Sequence, residues 1–136
     1  RGAGTLNECS TRIVRTFFDR SNCPQTNFFV GEVVSYPGKW SSFPPHTHVE
    51  PEIYFYKFLP ENGYGFAEIG EDAYKIKNND LTGMPCNKTH SQATAPGYAE
   101  YYIWVIRLRD EENIITTVDP QHSWTTGKDA KYFPEL

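Results

Sequence analysis

The 136-residue sequence lacks several features that mark particular classes of protein. No apolar run approaches the ~20 residues of a membrane-spanning helix, and the first residues do not form a signal peptide. Lys and Arg form no cluster, and the formal net charge is −4. We therefore expect neither a membrane nor a nucleic acid as a partner.

Cysteine is also scarce, with only Cys9, Cys23 and Cys86 and no CxxC pair. An odd count argues against a disulfide framework in a chain long enough to bury roughly two-thirds of its unfolded surface. Pairing of Cys9 with Cys23 stays open on sequence grounds. The scarcity favours a reducing compartment, and we predict a cytoplasmic protein.

Aromatic residues and turn formers are plentiful. Aromatics make up 15% of the chain, and ten Gly and ten Pro punctuate it. Short β-rich stretches follow one another without helical stripes, which predicts an all-β sandwich or closed barrel. The predicted strands are 28–36, 52–59, 65–69, 73–77, 98–107 and 114–118, with a possible strand near 11–18. We expect a single domain over 1–136, with an irregular N-terminal arm (1–27) outside the barrel (28–120) and a tail (121–136).

Three of the four histidines belong to two compact motifs. In a strand, residues two apart share a face, so His46 and His48 can point at one place. Glu52 has the same parity and stands beside an apolar strand. Glu50 also has that parity, but Pro51 makes a solvated turn the simpler prediction for it. The sequence thus predicts that Glu52 joins the two histidines.

The second motif ends at His90. Asn87 tolerates the left-handed backbone conformation, so the Pro-x-Asn segment before His90 predicts a tight turn. That turn would place His90 on a neighbouring strand. An isolated His-x-His pair is more often solvated, but three imidazoles and one carboxylate together suit a divalent ion. We predict one such ion, with zinc, manganese and iron left open.

The two motifs resemble the paired signature motifs of the cupin superfamily. The flanking sequence is similar to the C-terminal half of the 5-deoxy-glucuronate isomerase family of inositol catabolism, which also includes the 4-deoxy-5-hexosulose-uronate ketol-isomerases. The most specific string is Trp-Ser-Ser-Phe-Pro-Pro-His-Thr-His over 40–48. Further matching segments are 31–33, 36–39, 52–56, 95–98, 101–102 and 119–124.

This resemblance implies a single cupin barrel (double-stranded β-helix, or jelly roll) with His46, His48, Glu52 and His90 as metal ligands. It also implies an aldose–ketose isomerase that acts on a small sugar acid. Members of the family are about twice this long and contain two barrels. A chain that supplies one barrel would expose the surface that its partner covers, so we expect a homodimer or larger homo-oligomer.

An isomerase also needs a base and a group that binds the acid. Tyr54 and Tyr56 share the strand parity of Glu52, and Tyr102 is a similar candidate on another strand. Lys39 could neutralise a uronate carboxylate, and His122 could cover the mouth of the cavity. Two other functions stay open at this point, a metal-dependent cupin dioxygenase and a non-catalytic sugar-binding barrel.

Overall fold

The computed structural model describes residues 9–109, 113–128, 130 and 133. This part of the chain contains ten β-strands and one short 3-10 helix, Ser123–Thr126, and in it no helix is long and apolar enough to cross a membrane. The strands are β1 Arg12–Phe18, β2 Phe28–Ser35, β3 Trp40–Thr47, β4 Glu52–Leu59, β5 Tyr64–Ile69, β6 Asp72–Lys77, β7 Leu81–Met84, β8 His90–Thr94, β9 Ala99–Arg107 and β10 Thr117–Val118.

The strands form two five-stranded sheets. The first has the order β1-β2-β9-β4-β7 and the second β10-β3-β8-β5-β6. Every neighbouring pair is antiparallel. Consecutive strands often lie in different sheets, which is the arrangement of a jelly roll and confirms the predicted all-β architecture.

Alternating burial along the strands forms the interior between the sheets. In β4 and in β9, every second side chain is buried, because successive residues of a strand point to opposite faces. Polar side chains share this interior with the apolar ones, including Gln92 and Glu100. The apolar core consists of Val33, Tyr54, Tyr56, Phe58, Ala67, Ile76, Met84, Tyr102, Trp104 and Ile106.

The N-terminal segment departs from the expectation of an irregular arm outside the barrel. The possible strand near 11–18 exists as β1, and it is the edge strand of the first sheet. Six of its seven residues are exposed, because an edge strand has a neighbour on one side only. The sequence therefore shows little alternation there, although the backbone pairs along most of β2.

The C-terminal strand is shorter than predicted. Only Thr117 and Val118 of the predicted segment 114–118 form a strand, which pairs with β3 beside His46. Ile114 packs against the core instead. In the tail, Thr125 of the 3-10 helix is buried, and the remaining tail residues lie largely outside the described ones. The domain limits 1–136 stay a prediction.

Candidate metal centre

Three histidines meet inside the barrel, and each offers one nitrogen within 4.8 Å of the others. His46 lies near the end of β3, and His48 follows that strand directly. His90 opens β8 and is the register partner of His46. The β3–β8 ladder is irregular between Ser41 and His46. Such a bulge changes the direction of the following side chains and is common beside functional sites.

The turn before His90 has the predicted conformation. Asn87 has φ 60°, in the left-handed region that asparagine tolerates. Its backbone N–H donates to the carbonyl of His48 at 2.9 Å, so the turn is attached to the segment that carries the first histidine motif. Two motifs forty residues apart in sequence are thereby held side by side.

Glu52 completes the cluster from the opposite sheet. Its Oε2 atom lies 3.1 Å from Nε2 of His48 and 3.2 Å from Nε2 of His90, and only 4% of the residue is exposed. Glu50 is also buried, so the expectation that it is a solvated turn residue is wrong. Its backbone carbonyl accepts a hydrogen bond from Nδ1 of His48 at 2.8 Å, and this contact explains why the loop folds inward.

The second nitrogen of two of the imidazoles is held by a backbone carbonyl. His48 bonds to Glu50 at 2.8 Å, and His90 bonds to Lys88 at 3.1 Å. A carbonyl oxygen can only accept, so these nitrogens carry the hydrogen and the others face the cluster with free lone pairs. Metal-binding histidines in proteins are oriented in this way.

The cluster fits a divalent ion on its own geometry. Nε2 of His90 is buried without a hydrogen-bond partner among the described residues, since its 3.2 Å approach to Glu52 lacks the required direction. Donors that share one transition-metal ion at about 2.0–2.3 Å lie roughly 3–3.5 Å apart. The two separations from Glu52 fall in that range. The three histidines are therefore compatible with one ion, and Glu52 lies at ligand distance from two of them.

Charge in the cluster also favours a cation. Burial, together with the imidazole of His90, lowers the pKa of His46 to about 4, so His46 is neutral near pH 7. Burial opposes charge on His48, but the hydrogen bond and charge of Glu52 raise the pKa of His48 overall. Burial would raise the pKa of Glu52, yet the neighbouring His48 and His90 lower it, so the site contains a carboxylate.

The cluster faces a cavity of about 200 Å³. This is small beside the ~300–1,000 Å³ of drug-sized sites and suits a small sugar acid. Its lining combines polar and aromatic side chains, namely Arg12, Val14, Phe29, Val33, Ser41, Ser42, His46, His48, Glu52, Tyr54, Tyr102, Trp104, Ile106, Ile114 and Thr116.

Two of the three predicted catalytic tyrosines line this cavity. The rings of Tyr54 and Tyr102 lie 4.9 Å apart, and the phenol oxygen of Tyr102 lies 2.6 Å from Oγ of Ser41. Burial raises the pKa of Tyr102 to about 12 and that of Tyr54 well above its ordinary value. Tyr56 is different, because its hydroxyl is hydrogen-bonded to Thr82 and it is not a lining residue.

The two predicted substrate-binding residues lie elsewhere. Lys39 sits in the turn between β2 and β3 and does not line the cavity. His122 lines a different groove, on the outer face of the second sheet. Both predictions came from segments that resemble the family, and a position in such a segment does not determine whether a side chain points into the cavity. Arg12, which the sequence did not indicate, lines the cavity instead.

Comparisons with known proteins agree with this arrangement. The chain matches the model of the KduI/IolB family over residues 1–125. It is 30% identical to a curated 5-deoxy-glucuronate isomerase from Geobacillus kaustophilus, over 91% of this chain and 48% of that protein. The chain thus spans about half the length of the curated relatives it matches.

Solved structures show the same fold. An IolB-like protein from Salmonella typhimurium superposes with a TM-score of 0.81 at 24% identity, over 93% of this chain and 51% of that one. A cupin-like protein from Thermotoga maritima superposes with a TM-score of 0.65 at 20% identity, over 95% and 96% of the two chains. This chain and the Thermotoga protein thus superpose over almost the full length of both. The protein has the cupin fold and belongs to the KduI/IolB family.

Proposed function

We propose that this barrel is a metal-dependent aldose–ketose isomerase that acts on 5-deoxy-glucuronate or a related uronate of inositol catabolism. The observation that carries the proposal is the set of three histidines and one glutamate beside a tyrosine-lined cavity. This set occurs in a chain 30% identical to a curated 5-deoxy-glucuronate isomerase. One divalent ion, zinc, manganese or iron, would be held by His46, His48, Glu52 and His90.

His46, His48, Glu52 and His90 would hold the ion on the side away from the cavity, where a substrate would approach it. A bound divalent ion acts as a Lewis acid that polarises a carbonyl and stabilises negative charge on its oxygen. The imidazoles of His48 and His90 are held by the backbone carbonyls of Glu50 and Lys88, so they are positioned before a substrate arrives. Pre-organisation of this kind lowers the cost of stabilising charge in the transition state.

The reaction moves one proton between two neighbouring carbons. The C2–H bond breaks and its proton passes to a base, while the oxygen of the C1 carbonyl gains a proton to give an enediol. A proton is then delivered to C1, and the C2 hydroxyl loses its proton as it becomes the carbonyl. Tyr54 and Tyr102 are the side chains of the cavity that we assign to the delivery of a proton, since both phenols line the space beside the histidines and burial keeps them protonated. Ser41 orients the phenol of Tyr102 through their 2.6 Å contact.

The test is exchange of the substrate's C2 hydrogen in deuterium oxide. The chain is loaded separately with zinc, manganese or iron and mixed with 5-deoxy-glucuronate, and proton NMR follows the C2 signal and the ketose. We expect exchange and ketose formation only in the presence of a metal, with both lost after chelation and recovered on reloading. Turnover by the metal-free chain would contradict the mechanism.

A non-catalytic sugar-binding barrel is the second candidate. The observation that favours it is the chain length, because the curated relatives are about twice as long. Binding of a uronate by the fully loaded chain, without C2 exchange, would support this candidate. Consumption of oxygen by the iron-loaded chain would instead indicate a cupin dioxygenase.

A further inference from the structure

Trp104 fills part of the histidine-bearing cavity with its own side chain. It is 7% exposed, it lines the cavity, and it lies in β9 between Tyr54 of β4 and Gly31 of β2. A Cβ atom added at Gly31 would lie 2.2 Å from Cζ2 and 2.3 Å from Cη2 of the indole. The six-membered ring of Trp104 therefore rests directly on the backbone of β2.

The lining of the cavity shows what this ring covers. Phe29, Gly31 and Val33 follow one another on β2 at intervals of two, so they share one face of the strand. Phe29 and Val33 line the cavity, whereas Gly31 between them does not. The indole of Trp104 thus occupies the space above Gly31 that would otherwise belong to the cavity.

Neighbouring groups hold the indole in this place. The ring of Phe29 meets it edge-on, with the ring centroids 5.5 Å apart and an interplanar angle of 80°. Gly31 provides the room on the other side, since any larger residue would overlap the indole. A close-packed ring of this size cannot move aside for a ligand at low cost. The space left beside the histidines is therefore limited to the cavity of about 200 Å³.

We propose that Trp104 sets the size of the substrate, so that the cavity accepts a single sugar acid and excludes a dimer of the same acid. This inference rests on the proposed function, and it names monomeric sugar acids as the substrate class. A second sugar unit inside the cavity would meet the indole. A clash with the unwanted ligand is one of the two ways in which a protein discriminates between ligands.

Binding to the zinc-loaded chain tests this role, with D-glucuronate as the monomer and β-1,4-linked diglucuronate as the dimer. The reducing-end unit of the dimer is glucuronate itself, so the two probes share the carboxylate and the free C1 end. In an NMR titration, the wild type should bind the monomer at least about tenfold more tightly than the dimer. Trp104→Ala should reduce this ratio to about threefold or less, because the deleted indole leaves room for the second sugar.

Further variants separate size selection from a general effect on folding. Trp104→Phe keeps a ring over Gly31 and should retain most of the preference for the monomer. Trp124→Ala removes a half-exposed indole that does not line the cavity, so it should bind both probes like the wild type. Free indole should compete with the dimer for Trp104→Ala, since small apolar molecules bind the cavities that deleted side chains leave. Zinc content and melting temperature show that each variant is loaded and folded.

The outcomes separate this inference from the proposed function. Equal affinity of the wild type for monomer and dimer overturns the role of Trp104, and so does an unchanged ratio in Trp104→Ala, whether or not the chain is an isomerase. If Trp104→Ala does not fold, the ratio in Trp104→Leu decides in the same way. A wild type that prefers the monomer through Trp104 but exchanges no C2 hydrogen of 5-deoxy-glucuronate overturns the isomerase and keeps the size selection. A loaded wild type that binds no sugar acid overturns both.

Discussion

Nε2 of His48 lies 3.1 Å from Oε2 of Glu52, although the two side chains come from opposite sheets of the barrel. Only three residues separate them in sequence, and the chain crosses from the second sheet to the first within that interval. The short crossing buries Glu50 and uses its carbonyl to orient His48. The candidate metal site thus lies at the place where the two sheets are joined.

Metal binding should depend on His48 and not on His122. We expect His48→Ala to weaken zinc binding at least 100-fold, because it removes one nitrogen donor from the cluster. His122→Ala changes the fourth histidine, which lies on the outer face, and should bind zinc like the wild type. Elemental analysis measures the zinc content of each variant, and a competition titration with a chelator measures its zinc affinity. Stoichiometric zinc retained by His48→Ala at unchanged affinity would contradict the assigned site.

The three predicted catalytic tyrosines should behave differently when each is changed to phenylalanine. Tyr54→Phe and Tyr102→Phe should keep the metal and lower kcat by about 100-fold or more, the usual effect of removing a proton-transfer group. Tyr56→Phe should leave kcat nearly unchanged and lower the free energy of unfolding by about 1 kcal/mol, since its hydroxyl contacts Thr82. Loss of activity in Tyr56→Phe alone would reverse this assignment.

Stability should depend on pH through Glu100. Burial raises the pKa of Glu100 from 4.5 to about 7, and Oε1 has no hydrogen-bond partner among the described residues. The folded protein therefore holds this proton more tightly than the unfolded chain. The contribution of protonated Glu100 to the free energy of unfolding is full below pH 4.5 and is lost as the pH rises through about 7. The loss amounts to about 3 kcal/mol.

Urea unfolding at pH 5 and pH 8 tests this point. The wild type should have a lower free energy of unfolding at pH 8 than at pH 5. Glu100→Gln should remove most of this difference, because the amide is neutral at both pH values. Glu61→Gln, in an exposed turn, is the control and should keep the wild-type difference. An unchanged pH dependence in Glu100→Gln would mean that other groups account for it.

Gly31 should tolerate no side chain. A Cβ atom there would lie 2.2 Å from the ring of Trp104 and 2.5 Å from the carbonyl oxygen of Arg15. Gly31→Ala should therefore lower the free energy of unfolding by roughly 1–3 kcal/mol. Gly83→Ala is the control, since nothing lies within 4 Å of its added Cβ, and it should change stability by less than about 0.5 kcal/mol. Equal stability of the two variants would contradict this packing.

We also expect the chain to self-associate. Trp40, Phe43 and Phe66 line an apolar groove on the outer face of the second sheet, and the curated relatives are about twice as long as this chain. A second copy would cover that groove. Sedimentation should give twice the 15.6 kDa chain mass at micromolar concentration, and Phe66→Lys should give the monomer mass. Leu59→Lys, another exposed apolar position, should leave the dimer intact. A wild-type monomer would refute the expectation.

Local patterns in the sequence predicted several of the strands and the convergence of the histidines. The shared face of His46 and His48 needed only the two-residue period of a strand, and the turn at Asn87 needed only the conformational tolerance of asparagine. Strand β4 coincides with its predicted limits for the same reason, since its buried and exposed residues alternate without interruption. Each of these features depends on neighbours within a few residues.

The tertiary structure alone decided which other side chains share the cavity. Arg12 reaches it because β1 pairs with β2, while Lys39 and His122 miss it although they lie in segments that resemble the family. Glu50 is buried because the chain crosses between sheets at that point. These outcomes depend on contacts between residues far apart in sequence, and alternation within one strand carries no information about which strand lies beside it or which loop covers it.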